Sequence, residues 1–179
     1  MSTRVDLSFT EFMQKHGFQL AVEMYFHQHQ VLPPIGISAW ISAYQHQWQN
    51  KSVAIAIDEQ LKTSELTTEQ ACLLLRKCHD TGRSRLTGRL NEILKREIAA
   101  AAAFPECWAI VIELSQIPEE EGLLTQLIRK MVGFAQSTAD YITVFNYAVK
   151  LGFVPEIASL AVMSLSQQIE VKIENPAPA

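Results

Sequence analysis

Apolar residues recur every three or four positions along most of the chain, which is the spacing of one face of an α-helix. Glycine and proline, seven of each, fall mostly between these periodic segments. The pattern predicts an all-α fold: a compact bundle of about seven or eight helices in antiparallel hairpins, because short connections make neighbouring helices antiparallel. The residues from 53 to 57 also fit a short strand, but their polar continuation and the lack of a partner strand favour helix.

Several of the predicted helices begin at a capping pattern. Ser8-Phe-Thr-Glu11 and Thr67-Thr-Glu-Gln70 have the spacing of a capping box, in which two side chains and two backbone amides pair reciprocally. Pro105 suits a first helical turn, where its missing N–H would be unpaired in any case. Ser84 and Ser137 are further expected caps. The helix bounds that follow include residues 38–49, 67–79, 84–103 and 105–115.

The segment from 105 to 115 is apolar almost all round, so we expect this helix at the centre of the fold and Trp108 in the core. The C-terminal half contains two similar pieces, each running from Pro-Glu to Leu-Ser-Gln, which hint at stacked helical repeats. Their internal spacing differs by one residue, so a bundle is favoured over a solenoid. We predict one helical domain over residues 1–171 and a mobile polar tail over residues 172–179.

Composition places the chain among globular proteins, with 48% hydrophobic and 19% charged residues. No apolar run approaches the roughly 20 residues needed to span a bilayer, and the N-terminal residues lack the apolar core of a signal peptide. Three cysteines, Cys72, Cys78 and Cys107, do not form a disulfide framework. We therefore expect a cytoplasmic protein without a membrane association.

Positive charge is concentrated in residues 76–96, which carry a net charge of +5 in a chain whose net charge is −4. The basic members are Arg76, Lys77, Arg83, Arg85, Arg89, Lys95 and Arg96, against Asp80 and Glu92. At 100° per residue, Arg85, Arg89 and Arg96 fall on one face of the predicted helix, with a leucine and isoleucine stripe on another. The segment is therefore an amphipathic helix with a basic side.

Two interpretations of this segment remain open. The favoured one is a solvated face that serves solubility. The other is an anion site at the start of the helix, formed by Arg83, Ser84, Arg85, Arg89 and Arg96 with free backbone amides, for a nucleic acid, a phosphorylated ligand or an acidic protein. Nucleic acid is the weaker choice, because the whole chain is acidic with a pI near 5.7. If the segment is an anion site, we expect the fold to tolerate replacement of Arg83, Arg85 and Arg89 by Gln, because none of them belongs to the leucine and isoleucine stripe.

Trp40, Tyr44 and Trp48 recur at a spacing of four residues and would line one face of one helix. They form either a stacking platform for a planar ligand or part of the core, and the core interpretation is favoured because aromatic side chains are buried for their large area. The histidines and cysteines match no metal-binding spacing, so we expect no metal and no cofactor.

No phosphate loop, nucleophile elbow or metalloprotease helix occurs in the sequence. We therefore expect a cytoplasmic, non-enzymatic protein-interaction module: an adaptor, a regulatory subunit or a dedicated chaperone. We expect its partner to be a protein, and an acidic protein is one candidate. The chain itself would be a monomer or weak dimer. The alternative is an anion- or RNA-binding regulator acting through residues 76–96, and an enzyme comes third.

Overall fold

A computed structural model describes residues 3–117, 120–150, 152, 162 and 166 of the 179-residue chain. These residues form nine α-helices and no strand, which confirms the all-α fold class. In chain order the helices are α1 (Thr3–His16), α2 (Phe18–His29), α3 (Ile37–Ala43), α4 (Lys51–Thr63), α5 (Thr68–Thr81), α6 (Thr87–Ala100), α7 (Phe104–Leu114), α8 (Glu121–Phe134) and α9 (Thr138–Lys150). Residues 53–57 lie within α4 and are therefore helical.

The chain divides into two compact units, Met1–Ile93 and Leu94–Ala179, and the division falls inside α6. That residues 1–171 behave as a single domain remains a prediction.

In the first unit, α1 packs against α2 across a break at Gly17, and α3 packs against α4 and α5. Gly17 has a φ of 78°, a left-handed backbone that glycine adopts without steric cost, and its amide still bonds to the Met13 carbonyl. Phe9 and Tyr25 join α1 to α2 edge to face, with ring centroids 5.8 Å apart. The largest fully buried side chains of this unit are Trp40, Tyr44, Ile41, Ile57, Leu61, Leu74, Leu75 and Leu90.

The capping patterns at α5 and α9 form as the sequence predicts. Thr67 accepts from the Gln70 amide while the Gln70 side chain accepts from the Thr67 amide, and α5 then ends at the left-handed Gly82. At α9, Ser137 accepts from the Asp140 amide, and the Asp140 carboxylate accepts from the Ser137 amide in return. These bonds pair the amides that a helix start leaves without intrahelical partners.

Three helix boundaries differ from the prediction. The first helix begins at Thr3 instead of Ser8, because no helix-breaking residue precedes Ser8. The third ends at Ala43, well short of residue 49. In the segment after it, the Glu23 carboxylate accepts from the Gln49 and Asn50 amides, so a side chain of α2 provides bonds that a longer helix would have made internally.

The third difference concerns α6, which begins at Thr87, so Ser84 is not its cap. Gly82 terminates α5 in a left-handed conformation, and the Arg83 amide bonds back to the Cys78 carbonyl. These bonds end α5 in a C-terminal capping motif. The next few residues then change the direction of the chain, so α6 starts only after them.

In the second unit, α7 packs against α8, and α8 packs against α9. The expectation that α7 is central on every side, with Trp108 in the core, is wrong. Trp108 is only half-buried, where its ring meets Tyr147 edge to face at 5.0 Å, and Ile112 is 43% exposed. The buried side of α7 consists of Cys107, Ile110, Val111 and Leu114.

Some expectations fall outside the described residues. These are the helix expected from 155 to 165, the tail over 172–179 and the start of a helix at residues 118 and 119. Gly152 is described, and its left-handed φ of 71° agrees with the helix stop expected there.

Candidate functional site

The predicted division of α6 into a buried and a basic face is confirmed. Its buried side chains are Leu86 just before the helix and then Leu90, Ile93, Leu94 and Ile98. Its exposed side chains include Arg85 just before the helix, Arg89, Glu92 and Arg96. The hydrophobic period of the sequence is therefore sufficient to orient this helix.

Arg83, a predicted anion-binding residue, is turned toward its own protein. Its Nη1 donates a 2.7 Å hydrogen bond to the backbone carbonyl of Tyr44, and its guanidinium carbon lies 4.9 Å from the centre of the Tyr44 ring. The side chain is half-buried. Arg83 therefore ties the segment before α6 to the end of α3, which is a structural role.

Asp58, on α4, is the acidic partner of this region. The residue is only 7% exposed, and its Oδ2 lies 3.9 Å from Nη1 of Arg85, whose side chain is 61% exposed. Its Oδ1 is buried and has no hydrogen-bond partner among the described residues. Burial raises the pKa of Asp58, while Arg83 and Arg85 oppose that rise. Sequence spacing gives no indication of this contact, since Asp58 is 27 positions from Arg85.

Tyr44 and Cys78 complete a polar cluster beneath these arginines. The Cys78 thiol lies 3.6 Å from the Tyr44 hydroxyl, and that hydroxyl is among the groups that lower the pKa of Asp58. Burial raises the pKa of the Tyr44 hydroxyl strongly and also raises the pKa of the Cys78 thiol. Both groups are therefore neutral at physiological pH, and Cys78 is not a thiolate nucleophile.

The other predicted anion-binding residues are more exposed. Ser84 is exposed, and its carbonyl accepts from the Thr87 amide. Arg89 is exposed, with Nη2 3.5 Å from the Ser64 carbonyl. Arg96 belongs to the second unit, where it pairs with the neighbouring Glu97 at 3.4 Å. The structure thus places Arg85 beside Asp58 and Arg83 against Tyr44, while the exposed Arg89 lies near the Ser64 carbonyl.

The three aromatic residues Trp40, Tyr44 and Trp48 are all buried, as the core interpretation predicts. Only Trp40 lies within α3, and Tyr44 is its C-terminal cap; Trp48 lies beyond the helix, so the three do not form one helical stripe. Trp40 contacts Phe18, with ring centroids 6.3 Å apart, and Trp48 contacts His46 at 6.0 Å. The rings serve as packing between α2, α3 and the following segment, and they offer no open stacking surface.

An apolar surface on α1 and α2 was not predicted from the sequence. Leu20 is 47% exposed and Met24 is 37% exposed, one turn apart on α2, and Met13 on α1 is exposed as well. A cleft of about 530 Å³ is lined by Phe12, Leu20, Glu23, Met24, His27, Gln28 and Asn50. We call Phe12, Met13, Leu20 and Met24 the α1–α2 surface.

A signal for this surface is present in the sequence. On a helical wheel Leu20 and Met24 lie about 40° apart, whereas the buried Ala21, Val22 and Tyr25 lie some 100–200° round from Leu20. A helix with apolar residues on two faces has more apolar area than one neighbour covers.

Among the described residues, no cluster of His, Cys, Asp and Glu side chains could hold a metal ion. Within the same part of the chain, no helix has the combined length and apolar character needed to cross a bilayer. No protein-family model matches the chain, and no curated protein or solved structure shows significant similarity to it.

Proposed function

We propose that this chain is a non-enzymatic protein-interaction module of the cytoplasm, and that it binds its partner through the α1–α2 surface. The observation that carries the proposal is the exposure of Leu20 and Met24 side by side at an apolar cleft. Contiguous exposed apolar surface with a polar rim is typical of protein–protein contact sites.

The composition of the surface favours a protein partner. Methionine is flexible and polarisable, so Met13 and Met24 can adapt to apolar side chains of different shapes. The rim of the cleft provides His27, Gln28 and Asn50 for hydrogen bonds at the edge of an interface. We expect a partner that inserts an apolar side chain between Phe12 and Leu20.

The thiols support the proposed location. Cys72, Cys78 and Cys107 are all buried thiols, and no disulfide joins them. Cysteines outside disulfides are typical of a reducing compartment, where disulfides are rare.

Protein binding is favoured over the anion- or RNA-binding alternative by the contacts of the arginines. Arg83 is engaged by Tyr44, and Arg85 faces Asp58, so neither guanidinium of the expected site is free of internal contacts.

The experiment is a comparative capture from the source cells. The full chain, the double variant Leu20→Glu/Met24→Glu and the control Ile55→Glu are immobilised, and bound proteins are quantified by mass spectrometry. Ile55 lies on α4, is 44% exposed and does not belong to the α1–α2 surface. Ile55→Glu therefore makes the same kind of apolar-to-acidic change at a different position. Circular dichroism first establishes that all three proteins are folded.

We expect a defined partner that binds the wild type and the Ile55→Glu control, resists high salt and is lost with the double variant. Resistance to salt follows from an apolar interface, which screening does not weaken. A partner retained by Leu20→Glu/Met24→Glu would show that the α1–α2 surface is not the contact site.

A further inference from the structure

Arg85 has an incomplete set of contacts. Its guanidinium carries five N–H donors, and the distance of 3.9 Å to Asp58 is too long for a hydrogen bond. The side chain is 61% exposed, so a ligand can reach it without a rearrangement of the fold. Arg89 lies four residues further along, in the first turn of α6, and is also exposed, with its Nη2 3.5 Å from the Ser64 carbonyl.

We propose that Arg85 and Arg89 form a docking point for an acidic segment of a partner protein, and that Asp58 acts as an internal competitor that occupies Arg85 in the free chain. A partner carboxylate replaces Asp58 at Arg85 and can form the short, paired hydrogen bonds that Asp58 does not reach. Binding here does not involve the α1–α2 surface and is a contact additional to it.

The chemistry of the partner follows from the contact already present. Arg85 faces a carboxylate within its own chain, so a carboxylate of another protein would replace like with like. Arg85 lies just before α6 and Arg89 lies in its first turn, four residues further along, so the two cations suit acidic side chains close together in one short segment. The net charge of −4 opposes the long-range attraction of RNA, whereas a short acidic segment needs only local complementarity.

The competition also makes binding depend on pH. Asp58 is faced by Arg83, Arg85 and Glu59, and by the hydroxyl of Tyr44 and the thiol of Cys78. Burial raises the pKa of Asp58, and departure of Arg85 removes one of the two cations that lower it. Asp58 therefore takes up protons as the partner binds, and the affinity increases as the pH falls, provided that the carboxylates of the partner remain ionised.

The test measures binding of fluorescein-labelled hexaglutamate to the full chain by fluorescence anisotropy, at low salt, from about pH 7 down to about pH 5. Asp58→Asn removes the competing charge, so we expect it to bind about two- to fivefold more tightly than the wild type, the value of one exposed ion pair. Its affinity should also lose the pH dependence of the wild type. Arg85→Gln and Arg89→Gln should each weaken binding, and the control Arg129→Gln, an exposed arginine on α8, should not.

A second measurement covers the case in which Asp58→Asn does not fold. Calorimetric titration of the wild type with the same peptide, in two buffers of different ionisation enthalpy, gives the number of protons taken up. We expect uptake for the wild type and none for Arg85→Gln. Because the α1–α2 surface is not involved, Leu20→Glu/Met24→Glu should bind hexaglutamate as the wild type does.

Several results would overturn the proposal. A folded Asp58→Asn that binds no more tightly than the wild type would rule out competition, as would binding without proton uptake. If Arg85→Gln bound hexaglutamate with full affinity, or if neither the wild type nor Asp58→Asn bound it detectably, Arg85 and Arg89 would not be a docking point. Equal binding of a single-stranded RNA of similar charge would show a general cationic surface in place of a site for acidic protein segments.

Discussion

Replacing Arg83 tests whether this arginine is structural. The sequence pattern predicts that Arg83, like Arg85 and Arg89, can be changed without harm, since it lies outside the leucine stripe of α6. The structure gives Arg83 two contacts with Tyr44 that the pattern does not contain: a 2.7 Å hydrogen bond to the backbone carbonyl and a cation–π contact at 4.9 Å. We therefore expect Arg83→Met to destabilise the first unit.

The magnitude follows from these two contacts. A hydrogen bond to a charged donor contributes about 1.5–3 kcal/mol, and a partly exposed cation–π contact contributes about 0.5–1 kcal/mol. The two share one side chain that is only half-buried, so they are not additive and the hydrogen bond lies at the low end of its range. We expect a loss of about 2 kcal/mol in the free energy of unfolding for Arg83→Met. Arg83→Lys should lose less, because it keeps the charge but not the planar fork.

The assay is urea unfolding followed by tryptophan fluorescence in a Trp108→Phe background. The two remaining tryptophans, Trp40 and Trp48, both belong to the first unit, so the signal reports that unit alone. Arg89→Met is the matched control: it is exposed, and we expect a change within about 0.5 kcal/mol. Unfolding midpoints that are the same for Arg83→Met and Arg89→Met would refute the structural role of Arg83.

Three further predictions concern the second unit. Lys130 donates hydrogen bonds of 2.7 Å to the Ile98 and Ala99 carbonyls and so caps the end of α6. Lys130→Met should lower the free energy of unfolding by about 1–2 kcal/mol, measured by thermal or urea unfolding. The control Arg129→Met, at an exposed position, should change it very little. Hydrogen bonds from the backbone of Gln136 and Ser137, together with the Ser137 hydroxyl, lower the pKa of Asp140. The ionised carboxylate therefore stabilises the fold above about pH 4, and this stabilisation is lost as the pH falls through the lowered pKa. Urea midpoints of Asp140→Asn should therefore approach those of the wild type in acid, and a difference unchanged by pH would contradict this. Trp108→Ala should cost about 1–3 kcal/mol, less than a fully buried tryptophan, and a loss as large as that of a core residue would place Trp108 in the core after all.

The sequence by itself determines several local features of this protein. The caps at Thr67 and Ser137 depend on residues three positions apart, so their partners are read directly from the chain. The orientation of α6 is likewise local, because a period near 3.6 separates the buried Leu90 from the exposed Arg89 whatever the rest of the chain does. The all-α fold class follows from many such segments together.

Only the tertiary structure decides which surfaces are covered and which distant groups meet. Arg83 reaches Tyr44 across 39 positions, and Asp58 faces Arg85 across 27. Periodicity shows which side of a helix is apolar, but not whether a neighbour covers it, so Leu20 remains exposed and Trp108 only half-buried. The reason is that burial and pairing depend on the packing of whole helices, which a spacing within one helix does not contain.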